Sequence, residues 1–213
     1  MAFELLAHRG FWNETRPKNS ISAFTAAFDQ GYGVETDVRD YNGALVISHD
    51  IPGPGLQSFD DFLTLYKQCG APSFLAINIK ADGLQTLLHD ALTHAGIQNY
   101  FVFDASVPDG LLYLRKNMTF FTRQSEFEIT PSFYNESAGI WIDEFDGHWV
   151  TEAHLKAHYA QGKVVSLVSP ELHKRPHERE WADYRQWVAT NQWDSLMLCT
   201  DYPDQAQTFF GIV

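Results

Sequence analysis

Short runs of consecutive apolar residues recur along the chain, and an amphipathic segment follows most of them. FELLAH leads into SISAFTAAFDQGYG, VETDV and NGALVISHD into FDDFLTLYKQCG, and SFLAINIK into GLQTLLHDALTHAG. YFVFD precedes PDGLLYLRKN, GIWID precedes TEAHLKAHYAQG, KVVSLVS precedes HEREWADYRQWVAT, and DSLMLCT precedes PDQAQTFF. Strands covered on both faces read as unbroken apolar runs, and parallel neighbours need a crossover that is usually a helix. The pattern therefore confines the chain to an α/β architecture with a parallel sheet. Eight strand–helix units in 213 residues fit a single compact (β/α)₈ barrel. A doubly wound open sheet is the alternative. One unit is poorly formed: after TFFTR, the stretch QSEFEITPSFYNESA has no clear period. No low-complexity linker interrupts the rhythm, so residues 1–213 read as one domain.

The helical segments carry one apolar face each. Ile21, Phe24, Ala27 and Phe28 fall on one side of the first, and Phe59, Phe62, Leu63 and Tyr66 on one side of the second. Gly31 and Gly96 mark helix stops, and Asn42–Gly43 marks a tight turn before a short strand. Hydrophobic residues make up 45% of the chain, enough for a sizeable core.

A net charge of −12 argues against a nucleic-acid partner, although a local cationic site can still receive an anion. MAFELLAHRG lacks the basic start and long apolar stretch of a signal peptide, and no run is long enough to insert into a membrane. A cytoplasmic location is the expectation, with Cys69 and Cys199 as free thiols and Cys199 buried in LMLCTD. Nothing in the sequence indicates the oligomeric state.

In a barrel of this kind, chemistry sits at the C-terminal strand ends. Ionisable residues cluster there: His8 and Arg9; Glu35, Asp37 and Arg39; His49 and Asp50; Lys80; Asp104; and, in the second half, Arg123 and Glu126, Asp143, Glu171 and Asp201. Glu35 and Asp37 are two apart on a strand and share a side, where they repel unless a cation intervenes. A hard divalent ion suits their oxygens, and pairing with Arg39 or Lys80 is the alternative. His8 and His49 can act as general acid and base near neutral pH. Arg9 and Lys80 can hold phosphate oxygens.

Other features read as structural. His154 and His158 are four apart on an amphipathic helix, a metal-ligand spacing that ordinary packing also explains. SPELHKRPHERE (Ser169–Glu180) is a mixed-charge loop that either shapes a substrate mouth or is solvated. Trp12 and Trp149, in loop segments, can stack on a sugar or an organic headgroup or pack into the core.

The segment HRGFWNETRPKNSISAFTAAFDQGYGVETDVRDYNGALVISHD resembles the opening of the glycerophosphodiester phosphodiesterase family. That family's pattern is His-Arg-Gly, Pro-Glu-Asn, an Ala-Phe helix, Glu-x-Asp-Val, an Asx-Gly turn and a closing His-Asp. LAINIK is similar to its Glu-x-Lys strand and LCTDYPDQA to its last strand. The resemblance implies a (β/α)₈ barrel, a divalent cation (Mg²⁺ or Ca²⁺) and a small phosphodiester substrate with glycerol on one side of phosphorus. It implies His8 and His49 as the acid/base pair, Arg9 as a phosphate contact, Glu35 and Asp37 as metal ligands, and Lys80 as a charge stabiliser.

The sequence departs from the family pattern at three places. Lys18 stands where the pattern has Glu, and Asn78 where it has the third metal carboxylate. Two compensations follow. Asp104 replaces the lost carboxylate, or Lys18 supplies positive charge at the anion pocket so that the cation is bound weakly or dispensed with. The link after His49, DIPGPGLQS, is also shorter than the family's usual insertion, which implies a more open mouth. The expected function is phosphodiester hydrolysis. The alternatives are an inactive anion-binding homologue and a metal-independent lyase that releases a cyclic phosphate.

Overall fold

The computed structural model describes residues 3–191, 193 and 196–212. The chain divides into two compact units, Leu6–Phe120 and Phe121–Val213, the latter together with Met1–Leu5. In the first unit, the Leu6–His8 end of β1 (Phe3–His8), β2 (Gly33–Tyr41), β4 (Leu75–Ile79) and β5 (Tyr100–Phe103) lie in the order β5-β4-β2-β1, all parallel. β3 (Ala44–Ile47) folds back antiparallel on β2 through the Asn42–Gly43 turn, with Val38 opposite Ile47. Both turn residues have positive φ, which two-residue hairpin turns of this kind require. The unit's helices are α1 (Ile21–Asp29), α2 (Phe59–Gln68), α3 (Gln85–Ala95) and α4 (Val107–Arg115).

The second unit carries β6 (Phe121–Gln124), β7 (Gly139–Ile142), β8 (Val164–Val168) and β9 (Leu196–Thr200), parallel and in the order β9-β8-β7-β6. Its helices are α5 (Glu152–Ala160), α6 (Glu178–Asn191) and α7 (Pro203–Phe210). Between β6 and β7 there is no helix, as the aperiodic stretch predicts; a tight Ser125–Glu128 turn opens this connection instead. Asp194 and Ser195, read from the sequence as the start of the last strand, lie outside the described residues.

The apolar runs are buried as their composition requires: β4 and β9 are buried at every residue. Phe59, Phe62, Leu63 and Tyr66 of α2 are all buried, and Phe24 and Phe28 of α1 meet Phe62 edge-on or tilted. Ser58 caps α2 by accepting from the Asp61 amide, with Asp60 and Asp61 at the positive end of the helix. Ile21 corrects the sequence reading: it is 38% exposed, and Ala23 takes its place in the buried face of α1. Ile21 is the first helical residue, and its side chain lines a cavity rather than the core. Cys199 is buried and both cysteines are free thiols. Among the described residues, no helix is long and apolar enough to cross a membrane.

Candidate active site

The site starts at the turn that ends β1. Arg9 has φ 59° and Gly10 φ 87°, so the chain leaves the strand through two left-handed residues. The Arg9 amide donates to the Glu35 carbonyl (2.8 Å) and the Phe11 amide to the Ala23 carbonyl (2.9 Å). A Cβ on Gly10 would sit 2.8 Å from the Ala23 carbonyl carbon, so only glycine lets the turn rest on α1. This seating brings the Arg9 side chain to β2, where its Nε lies 2.8 Å from Asp37 Oδ2.

Asp37 is fully buried and gathers donors. Besides Arg9, the Asn19 amide nitrogen donates to Oδ2 at 2.9 Å, and Lys80 Nζ lies 3.5 Å from Oδ1. Asn19 is held in a left-handed conformation (φ 58°) by its own amide, which donates to the Arg9 carbonyl at 2.9 Å. Its side-chain oxygen accepts from the Thr36 hydroxyl at 3.0 Å. Lys80 in turn lies 3.7 Å from Asp104 Oδ2, and Asp104 also has positive φ, 67°. Three residues other than glycine in the left-handed region, all at one site, amount to stored backbone strain held by the surrounding bonds.

Glu35 shares a side of β2 with Asp37. Its Oε1 accepts from the Asn78 amide at 3.1 Å, and His8 Nε2 lies 3.9 Å from Oε2. Burial, reinforced by the Asp37 charge, pushes the Glu35 carboxyl up to about 7, against the opposing pull of His8, Lys80 and Arg9. Two chains of contacts, His8–Glu35–Asn78 and Arg9–Asp37–Lys80–Asp104, thus lie together where β1, β4 and β5 end and beside the first half of β2, and the charges of Asp37, Lys80 and Arg9 act on Glu35.

His49 and Lys18 lie at a cavity of about 760 Å³ that Arg9 also lines. His49 is 48% exposed, two residues beyond β3, with Nδ1 2.8 Å from Asp50 Oδ1. Its carbonyl accepts from Arg39 Nε at 3.1 Å, so Arg39 braces the His49 loop. Lys18 Nζ sits 4.3 Å from the centre of the Trp12 ring.

The oxygen atoms Glu35 Oε2, Asp37 Oδ1 and Asn78 Oδ1 are buried without a hydrogen-bond partner. Asp37 and Asn78 are register partners across β2 and β4. Such an all-oxygen set suits Mg²⁺ or Ca²⁺, but only two of the three donors are anionic and one of those faces Lys80. Among the described residues, no group of three or more His, Cys, Asp or Glu side chains is placed to hold a metal ion. Asp104, the expected replacement carboxylate, is placed on Lys80.

In the second unit the polar strand ends bond to one another. Glu171 accepts from Ser169, from the Thr200 hydroxyl and from the Asp201 amide, and Trp181 Nε1 donates to Ser169 Oγ. Asp143 pairs with His173 at 3.0 Å. Trp149 Nε1 donates to the Asp143 carbonyl, which fixes that ring to the structure. His154 closes a capping box with Thr151, and His158 bonds to Tyr134 and Gln124, so neither faces a shared ligand position.

Asn19 is the site residue that the sequence reading passed over. Its signal was there: Asn is among the few side chains that tolerate the left-handed region, and it stands two residues after Pro17 and directly before the Ser20 helix cap.

No family model matches this sequence, and no curated protein matches it. Solved structures do. A glycerophosphodiester phosphodiesterase from Agrobacterium tumefaciens superposes with a TM-score of 0.67 at 17% identity, covering 100% of both chains. A glycerophosphoryl diester phosphodiesterase from Parabacteroides distasonis superposes with a TM-score of 0.67 at 13% identity, covering 98% of this chain and 86% of that one. The likeness shows the fold, a (β/α)₈ barrel, as the strand–helix rhythm predicts.

Proposed function

We propose that this protein is a phosphodiester hydrolase acting on a glycerophosphodiester or a related small phosphodiester. The observation that carries the reading is the Arg9–Asp37–Lys80 arrangement beside a buried Glu35, with His8 against it. Two cations held by one buried carboxylate are preorganised for phosphate oxygens, and preorganised charge is the largest contribution to phosphoryl transfer. The fold neighbours add an analogy of fold, not of site.

In this reading Arg9 and Lys80 take the phosphate oxygens, while Asn19 and Asp37 hold Arg9 in place. A substrate hydroxyl next to the phosphodiester attacks phosphorus and passes its proton to one imidazole of the His8/His49 pair. The bond from phosphorus to the departing alcohol breaks, and the other imidazole protonates that alcohol. Water then opens the cyclic phosphate by the reverse proton transfers. With Nδ1 on Asp50, Nε2 is the His49 nitrogen for this exchange. Glu35, Asp37 and the Asn78 oxygen would hold a divalent cation, which supplies further neutralisation of the phosphate charge. Loss of the third carboxylate makes that site weak.

The test is hydrolysis of bis(p-nitrophenyl) phosphate and of glycerophosphodiesters, in EDTA and with Mg²⁺, Ca²⁺ or Mn²⁺, with His8→Ala and Glu35→Ala as controls. Metal-stimulated turnover lost in both variants is the expected result. Turnover that survives EDTA and Glu35→Ala but needs His8 assigns the charge neutralisation to Arg9 and Lys80 without a cation and keeps His8 in proton transfer, with a cyclic phosphate as the product to look for. No turnover on any substrate overturns the proposal in favour of an anion-binding protein.

A further inference from the structure

The cavity beyond Arg9 contains a cation that the phosphate chemistry above does not use. Lys18 and Arg9 line the same space of about 760 Å³, large enough for a substituent as well as a phosphate. Arg9 is tied to Asp37 at the inner end. Lys18 is placed by Trp12, whose ring lies under Nζ at 4.3 Å. The loop carrying both is internally braced. Asn13 Oδ1 accepts from the Thr15 and Arg16 amides at 2.9 Å, Asn13 and Arg16 pair backbone to backbone, and the Arg16 guanidinium lies 5.3 Å from the centre of the Phe11 ring. A lysine held on an indole face has little rotamer entropy left to lose when an anion arrives.

The other titratable groups lining this cavity are His49 and Asp50. They pair with each other, and Asp50 is 92% exposed, so its charge is directed to solvent at the rim. Asn19, Ser20, Ser22, Ser48 and Gln57 supply the remaining polar lining, none of it anionic. The cavity is thus polarised, with positive charge at Arg9 and again at Lys18.

We propose that Lys18 selects a phosphodiester whose departing alcohol carries an anionic group, a carboxylate or a second phosphate, over one with a neutral or cationic alcohol. The inference rests on the phosphodiesterase reading and deepens it: Arg9 receives the diester and Lys18 the second anion.

An isosteric pair tests it: glycerophosphodiesters of glycolate and of glycolamide, which differ by one charge, with glycerophosphocholine as the cationic comparison. The wild-type protein is expected to favour glycolate over glycolamide by about tenfold in kcat/KM, the scale of one charge-assisted hydrogen bond, and to disfavour choline further. In Lys18→Met the glycolate-to-glycolamide ratio falls to about one, Lys18→Arg retains a preference, and Trp12→Ala lowers it part of the way. A ratio near one in the wild-type protein overturns the inference while leaving the phosphodiesterase reading intact. So does a Lys18→Met loss that is equal for all three compounds, because it assigns Lys18 to the diester phosphate. If none of the three turns over, the phosphodiesterase reading fails by itself. Calorimetric binding of the same compounds then decides this inference: tighter glycolate binding that Lys18→Met abolishes supports it, and equal affinities overturn it.

Discussion

Arg9 Nε and Asp37 Oδ2 lie 2.8 Å apart, and Asp37 has no exposure to solvent at all. Removing a buried carboxylate leaves its cationic partners without compensation, which costs more than the pair contributes in place. Asp37→Ala strands Arg9, Lys80 and the Asn19 amide together, and about 3 kcal/mol of stability is expected to go with it. Asp50→Ala is the comparison, since that carboxylate is exposed and its loss is expected to leave the urea midpoint unchanged. Equal midpoints for Asp37→Ala and the wild-type protein would show that the Arg9–Asp37 pair does not hold the site together.

Asn78 separates this cluster from a three-carboxylate cation site. Restoring a carboxylate beside Glu35 and Asp37 adds an anionic oxygen where Asn78 now offers a neutral one. Asn78→Asp is expected to raise Mg²⁺ or Ca²⁺ affinity by about tenfold or more, read by calorimetry on EDTA-treated protein. The same substitution brings a third negative charge against Glu35, so its melting temperature without divalent ions is expected to fall. Unchanged affinity would mean that the three oxygens do not act as one ligand set.

Gly10 positions the turn that carries Arg9 through its lack of a side chain. Its φ of 87° is available to glycine at little cost, and a Cβ there meets the backbone of Ala23 at 2.8 Å. Gly10→Ala therefore combines backbone strain with a clash that no rotamer relieves. A loss of about 2 kcal/mol or more is expected in chemical denaturation. Phosphodiesterase activity is expected to fall further than stability alone explains, because the Arg9 amide and side chain move with the turn. Gly43→Ala, whose Cβ would meet nothing within 4 Å, isolates the strain contribution.

Much of this architecture is legible in the sequence, for a definite reason. Parallel strands buried on both faces leave unbroken apolar runs, so FELLAH and LAINI map onto β1 and β4 almost residue for residue. The α2 face follows from the 3.6-residue period and the Ser58 cap. The site is legible as a set of strand-end residues, because period two puts Glu35 and Asp37 on one side. Its wiring is not. That Asp37 collects Arg9, Asn19 and Lys80, while Glu35 takes Asn78, depends on left-handed backbone at Arg9, Asn19 and Asp104. Arg carries no signature for that conformation and Asp only a weak one, and tertiary bonds impose it. Ile21 misleads for a related reason: its helical position is apolar by period, but the first turn of α1 opens onto the cavity.

His158 gives the second unit a pH dependence whose sign follows from burial. Its ring is buried, Nδ1 bonds to the Tyr134 hydroxyl at 2.8 Å and Nε2 to Gln124 Oε1 at 3.0 Å. Burial, with a smaller contribution from His154, pulls the imidazole down to about 4, so the folded protein keeps it neutral where the unfolded chain protonates it. Between the ordinary histidine value of about 6.5 and about 4, the unfolded state binds the extra proton, and stability falls as pH falls. The contribution is constant above that window and has been lost once pH drops below it. His158→Gln removes the titrating group and keeps a polar side chain between Tyr134 and Gln124. Urea midpoints at pH 7 and pH 4.5 are expected to differ less in this variant than in the wild-type protein. An identical pH dependence in both would assign the acid sensitivity to other groups and place a charged His158 in the folded state.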